Sequence, residues 1–355
     1  MAEIENRLER FRRLALVDGL EAAIIQNPEN RAYLSGFEGS AGSVLVTLDA
    51  AYLLVDFRYL EQAQEQAAGL KVILHQPEIT STLGVLLAEL GVKNLGWEKS
   101  FVTLEQRERW ESRLEGVVLQ PIPDYVSYLR MVKEEEEIGL IRRAAAIADQ
   151  AFAMVRPAIR PGAVEREVAI ELEYAMRRLG ADRYAFDTIV ASGPRSAMPH
   201  ARASERVMGE GDLVIVDFGA VFNCYCSDCT RTLVLGEMSE QQREVYQTVR
   251  DAQEAALRFI RPGVKASQVD QVARDFIARR GYGKYFGHSL GHGVGRGVHE
   301  EPTLSFRDET ILEPGMVVTV EPGIYIPDWG GVRIEDLVLV TPNGAEVLTS
   351  AGGFA

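Results

Sequence analysis

Cysteine is scarce in this 355-residue chain, and its three copies, Cys224, Cys226 and Cys229, crowd into one short stretch. An odd, clustered set cannot lay out a disulfide framework, so reduced thiols and a cytoplasmic protein are expected. Positive charge is in deficit: 38 Lys and Arg face 52 Asp and Glu, for a formal net charge of −14. That balance argues against nucleic acid or an anionic membrane surface as the main partner. No apolar run approaches membrane-spanning length. The opening Met1-Ala2-Glu3-Ile4-Glu5-Asn6-Arg7 leads into a charged amphipathic helix pattern without the apolar segment of a signal peptide. Histidine is rare as well. Of five, His200, His288, His292 and His299 lie in the C-terminal part, while His75 reads most simply as a strand residue.

What is present suits two soluble domains with substantial cores. Strand-like runs at Ala22–Gln26, Ser43–Leu48, Tyr52–Val55, Lys71–His75 and Asn94–Trp97 alternate with helical patterns, which predicts a small α/β domain over residues 1–123. The paired prolines of Gln120-Pro121-Ile122-Pro123 are the best linker candidate. A second domain, 130–355, starts near the acidic run Glu134 to Glu137, which reads as the solvated N-terminus of a helix. Helical periodicity continues from Ile138 to about Val155, and two more helices follow Arg-Pro-Gly turns.

Within the second domain the apolar run Leu213–Val216 delivers a carboxylate, Asp217, at the end of a buried strand. Asp228 follows, ahead of the run Thr230 to Leu235. The pattern then repeats. Glu210 to Gly219 aligns with Pro314 to Gly323 at an offset of 104 (321 − 217), placing Glu321 where Asp217 stood. Glu335 supplies the second acid of that copy. Upstream, Ile159-Arg160-Pro161-Gly162 recurs as Ile260-Arg261-Pro262-Gly263, at an offset of 101 (260 − 159). The repeat implies two α-then-β halves about a pseudo-twofold axis, each bringing two acids to one site. With His292 in the glycine-rich Gly287–Gly295 segment, the set suits a pair of divalent cations, since buried unpaired carboxylates are costly. Oxygen-dominated ligation favours Mn²⁺, Fe²⁺ or Co²⁺, with dinuclear zinc also open. Two such ions, about 3.5–4 Å apart, acidify a bridging water and polarise the carbonyl it attacks. The cysteines could in principle hold a soft metal, but no second cluster completes such a site, and small buried residues are the simpler reading.

The motifs Val216-Asp217-Phe218-Gly219, Ser227-Asp228-Cys229-Thr230-Arg231-Thr232, Gly291-His292-Gly293-Val294-Gly295, Val298-His299-Glu300, Val320-Glu321-Pro322-Gly323 and Arg333-Ile334-Glu335-Asp336 resemble those of the pita-bread metallopeptidases. Within them the chain is similar to the Xaa-Pro peptidases, aminopeptidase P and prolidase, and closest to small bacterial Xaa-Pro aminopeptidases. The likeness implies a creatinase-like α/β N-terminal domain and an α+β pita-bread catalytic domain. It implies two metal ions, Mn²⁺ first, on Asp217, Asp228, His292, Glu321 and Glu335, with Asp217 chelating one ion and Asp228 and Glu335 bridging. Glu321 would also shuttle a proton from the attacking water. By the same resemblance His200 and His299 assist at the scissile amide, His288 lines the substrate groove, and Arg333 supports Glu335. Substrates would be short peptides with proline second, cleaved by a homodimer. A strict Xaa-Pro dipeptidase is the alternative, and a non-catalytic peptide-binding relative a further one. Cys229 and Arg296-Gly297 depart from the family pattern, and Arg296 is expected at the substrate rim.

Overall fold

The structure is a computed structural model that describes residues 2–15, 19–67 and 69–352. It divides into two compact units, Met1–Arg130 and Met131–Ala355. The first is built on a six-stranded sheet in the order Lys71–Leu74, Ala51–Val55, Ser43–Thr47, Ala22–Ile25, Asn94–Glu98, Val118–Ile122. Its strands are apolar at consecutive positions because both faces are covered. Ala23, Ile25, Val44, Val46, Leu53 and Val55 face one core with Phe11, Tyr33 and Leu34. Ala22, Ile24, Leu45, Tyr52 and Leu54 face the other with Leu83, Leu87 and Trp110. The expected linker is part of this sheet. Pro121 lies in the edge strand Val118–Ile122, opposite Trp97, where a missing N–H can point away from the ladder. The unit continues through helix Tyr125–Met131, whose Arg130 Nη1 donates to Asn30 Oδ1 at 2.7 Å.

The second unit holds two copies of one plan. Helices Glu135–Val155 and Glu165–Arg178 precede an antiparallel sheet of Ile189–Ser192, Leu213–Phe218 and Cys229–Val234. Helices Glu240–Phe259 and Ala266–Arg279 precede a sheet in the order Glu300–Leu304, Gly291–Gly293, Val317–Val320, Asp336–Thr341, Gly344–Val347. The offsets read from the sequence recur in the elements: the shorter helices start 101 apart (266 − 165) and the acid-bearing strands 104 apart (317 − 213). Even an isolated bridge is repeated, Val164–Val207 in one half and Lys265–Ile311 in the other.

Each half packs its helices on its own sheet. Ile147, Ala148, Ala151, Phe152 and Val155 share one helix face, and Phe152 stacks on Phe218 with ring centroids 5.0 Å apart. That contact fixes the strand end next to Asp217. Val245, Val249, Ala252 and Ala256 do the equivalent work in the second half, at the helical spacing expected of a buried stripe. The halves meet along a hydrogen-bonded seam. Glu335 N donates to Thr230 O at 3.1 Å, Thr232 Oγ1 to Arg333 O at 2.7 Å, and Arg333 N back to Thr232 Oγ1 at 3.0 Å.

The acidic run is only partly the solvated terminus the sequence suggested. Glu134 and Glu137 form a capping box at the start of helix Glu135–Val155, and Glu135 and Glu136 are exposed. Glu137, however, is buried and accepts a hydrogen bond from Tyr225 OH at 2.7 Å. The helical period turns every fourth residue of such a run toward the core.

Candidate metal centre

Strand ends place the acids. Asp217 is the penultimate residue of Leu213–Phe218, Asp228 directly precedes Cys229–Val234, Glu321 directly follows Val317–Val320, and Glu335 directly precedes Asp336–Thr341. Antiparallel pairing of Asp217 with Thr230, and of Val320 with Asp336, brings each pair to one level. His292 enters from strand Gly291–Gly293. Ligand atoms of Asp228, His292 and Glu335 lie within 4.8 Å of one another. His292 Nε2 is 3.4 Å from Glu321 Oε1 and 3.6 Å from Asp228 Oδ2. Asp217 is held by Arg333, whose Nη2 donates to its Oδ2 at 2.6 Å.

The direct carboxylate partner of Arg333 is thus Asp217. Its guanidinium reaches Glu335 only through Thr230, whose Oγ1 accepts from Arg333 Nε at 3.1 Å and donates to Glu335 Oε2 at 2.6 Å. The same guanidinium donates through Nη1 to Pro199 O at 3.1 Å and to Tyr325 OH at 3.0 Å. His288 Nε2 also lies 3.0 Å from that hydroxyl. His299 is exposed and packs on His292 with ring centroids 4.3 Å apart. His200 sits exposed in the loop after Ile189–Ser192, near enough for its charge to act on Asp217, His288 and His299. Arg296 turns inward, its guanidinium 4.8 Å over the Tyr225 ring with Nε donating to Tyr225 OH at 3.1 Å.

Burial dominates the electrostatics, and mutual repulsion adds to it. Burial, then the charges of Glu335, Asp217 and Glu321, push Asp228 well above the ordinary carboxyl range. Burial, then Glu321 and Asp217, do the same to Glu335. Glu321 is raised by burial to about 8, against the pull of Arg333. Burial raises Asp217 too, opposed by its ion pair with Arg333. Burial lowers His292 and His288 to about 4 each, and lowers His299. All three imidazoles are thus neutral at pH 7, the form that can bind a metal or donate one N–H.

Residues 139–342 match metallopeptidase family M24, more than half of the sequence. The chain belongs to this family. Residues 7–132 match the creatinase/prolidase N-terminal domain. The chain is 42% identical over 349 residues to the Xaa-Pro dipeptidase of Pyrococcus furiosus, covering 98% of each. Its fold superposes on an Xaa-Pro dipeptidase from Bacillus anthracis with a TM-score of 0.96 at 43% identity, covering 99% of both chains. An X-Pro aminopeptidase from Thermotoga maritima gives 0.89 at 41% identity, covering 97% of this chain and 99% of that one. The second unit of this M24 metallopeptidase accordingly has the pita-bread fold.

The residues present fit the divalent ions that the family implies. Two buried carboxylates, Asp228 and Glu335, two half-buried ones, Asp217 and Glu321, and one neutral imidazole converge with a single guanidinium among them, and Asp217 Oδ1 is buried with no hydrogen-bond partner among the described residues. A carboxylate oxygen left in that state is costly unless a cation takes it. Two residues of the M24 site escaped the sequence reading, Thr230 and Tyr325. Tyr325 follows Glu321 by four residues across a turn into the hairpin Gly323–Ile326/Gly330–Arg333, so no periodicity links them. Its burial raises the phenol to about 12, which keeps it a neutral hydroxyl between Arg333 and His288.

Proposed function

We propose that this M24 metallopeptidase hydrolyses the bond preceding proline in short peptides, with Xaa-Pro dipeptides as preferred substrates. The observation that carries the peptidase reading is the convergence of Asp217, Asp228, Glu321 and Glu335 on His292 at strand ends. Those five side chains would hold two divalent ions, which supply acidified water and a polarised carbonyl when bound. The oxygen-rich donor set favours Mn²⁺ over a softer metal. Glu321, at the end of strand Val317–Val320 and 3.4 Å from His292 Nε2, would accept the proton lost by the attacking water. Neutral His299, with His200 opposite, would donate to the scissile carbonyl as charge grows on its oxygen. Arg333 fixes Asp217 and the Pro199 carbonyl, and so aligns the acid cluster with the His200 loop. An Xaa-Pro bond has no N–H to offer, so a site that asks for no donor there accepts proline where other peptidases fail.

The dipeptide preference rests on relatives: proteins called Xaa-Pro dipeptidase are 42–43% identical to this chain over nearly its whole length. Cleavage of longer peptides with proline second, the expectation from sequence, remains the second reading because an X-Pro aminopeptidase structure is 41% identical. The expected cytoplasmic setting is supported by three free cysteines. The homodimer rests on the family resemblance alone. Comparing kcat/KM on Ala-Pro and Ala-Pro-Ala decides between the lengths. Ala-Pro should be the better substrate; efficient cleavage of Ala-Pro-Ala with Ala-Pro untouched transfers the enzyme to the aminopeptidases.

A further inference from the structure

Glu165 opens helix Glu165–Arg178 and is completely buried, yet it takes no part in the metal centre. Its carboxylate accepts five hydrogen bonds. Oε1 takes Ser192 N at 2.8 Å and Ser192 Oγ at 2.7 Å. Oε2 takes Arg195 Nε at 3.0 Å, Ser204 N at 3.1 Å and Ser204 Oγ at 2.6 Å. Ser192 and Ser204 are the two roots of the loop that presents His200. Twelve residues apart in sequence, they are pinned to the two oxygens of one side chain. Arg206 secures the same root from outside, donating to Ser192 Oγ and Asp212 Oδ2 at 2.6 Å each. Farther along, Ser196 Oγ accepts from Gly331 N at 2.8 Å and Pro199 O from Arg333 Nη1 at 3.1 Å. The loop is thus tied at its roots to a helix of the first half and near its tip to Gly331 and Arg333 of the second.

We propose that Glu165 is a positioning residue for catalysis, clasping both roots of the His200 loop so that the imidazole is held against the scissile amide. The inference rests on the role given to His200 in the proposed reaction. All five partners are donors, so a carboxylate satisfies them and an amide cannot: one end of a glutamine would turn an NH₂ toward an N–H or guanidinium. Glu165→Gln therefore mismatches one root while preserving size. Ser204→Ala removes one hydroxyl, which donates to Glu165 and accepts from Arg206 N at 3.2 Å, and serves as a gentler second variant. A catalytic group displaced by about 1 Å can cost on the order of 100-fold in rate.

The test is a double-mutant cycle on the metal-loaded full chain with Ala-Pro, with metal content and hydrogen exchange measured on each protein. E165Q should lower kcat about 10- to 100-fold with bound metal unchanged, and S204A should lower it less. Amides of residues 193–204 should exchange faster, while those of strand Leu213–Phe218 do not. The E165Q/H200A protein should be no slower than H200A, because Glu165 acts through His200. Losses that multiply, metal lost from E165Q, or an unchanged loop and rate in both E165Q and S204A overturn the clasp. If H200A alone keeps full kcat, the catalytic role of His200 falls and the positioning role with it, whereas a slow H200A beside a fast E165Q discards only Glu165.

Discussion

Arg333 lies among the four acids, and its direct ion pair is with Asp217. Asp228, Glu321 and Glu335 feel the same guanidinium but have no direct ion pair with it among the described residues, and the histidines divide by their task. His292→Ala and Asp228→Asn should lose metal and activity together, because each removes a donor from the cluster. His299→Ala leaves the cluster intact. It should retain metal and lower kcat on the order of 10²-fold, the scale of a lost transition-state donor. Elemental analysis beside steady-state kinetics separates the two outcomes, and equal metal loss in all three variants would refute the division. At this scale the candidate acids were readable in the sequence because one apolar run delivers Asp217, its repeat delivers Glu321, and a second acid follows in each copy. Thr230, Tyr325 and Glu165 were not, since their partners lie far along the chain: Thr230 meets Glu335 across 105 residues and Glu165 meets Ser204 across 39.

The strand that carries His292 is three residues long and flanked by glycines for a packing reason. A Cβ on Gly291 would overlap the carbonyl of Thr319, and one on Gly293 the carbonyl of Glu301. The neighbouring chains approach where side chains would stand, and this draws His292 toward Glu321. Gly291→Ala should cost about 1–3 kcal/mol by forced displacement and should deplete metal while leaving every ligand in place. Thermal unfolding and metal content of the variant check this; a stable, fully loaded G291A removes the argument. Elements of this kind mark the limit of sequence reading. The duplicated helices and acid-bearing strands were legible through constant offsets. The Pro121 edge strand was not, because a proline in a strand and a proline in a linker look alike until neighbouring strands are known. Nor was the Cys224 turn: Asn223 and Cys224 both have positive φ, 46° and 65°, and form a two-residue hairpin loop between Phe222 and Tyr225.

Across the whole molecule the cluster makes stability depend on pH in a definite direction. All four acids are raised above the ordinary carboxyl range, so the folded metal-free chain keeps protons that the unfolded chain has released. Their contribution is full below about pH 4 and is lost as pH rises, through about 8 for Glu321. His288 and His292, lowered to about 4, work the other way, and their contribution is complete above about pH 6.5. Between about pH 6.5 and 8.5 the acids therefore set the trend. The urea midpoint of chelated protein should fall across that interval, and added Mn²⁺ should restore more stability at its upper end. A midpoint of the chelated protein that rises across that interval would contradict the raised acids.

The seam between the two halves carries a consequence for ancestry. Either half, doubled about the pseudo-twofold axis, would present four acids at strand ends, so a chain of half the length could have closed a comparable site by pairing with its twin. Fusion of two such chains would have released each from copying the other. Only the second half contributes an imidazole to the acid cluster, His292, and the guanidinium it sends across the boundary, Arg333, reaches the cluster acid Asp217, whereas Arg231 of the first half crosses to Asp336 outside the cluster. A pair of identical subunits would have had to carry both twice; a single chain can specialise one flank and leave the other as it was.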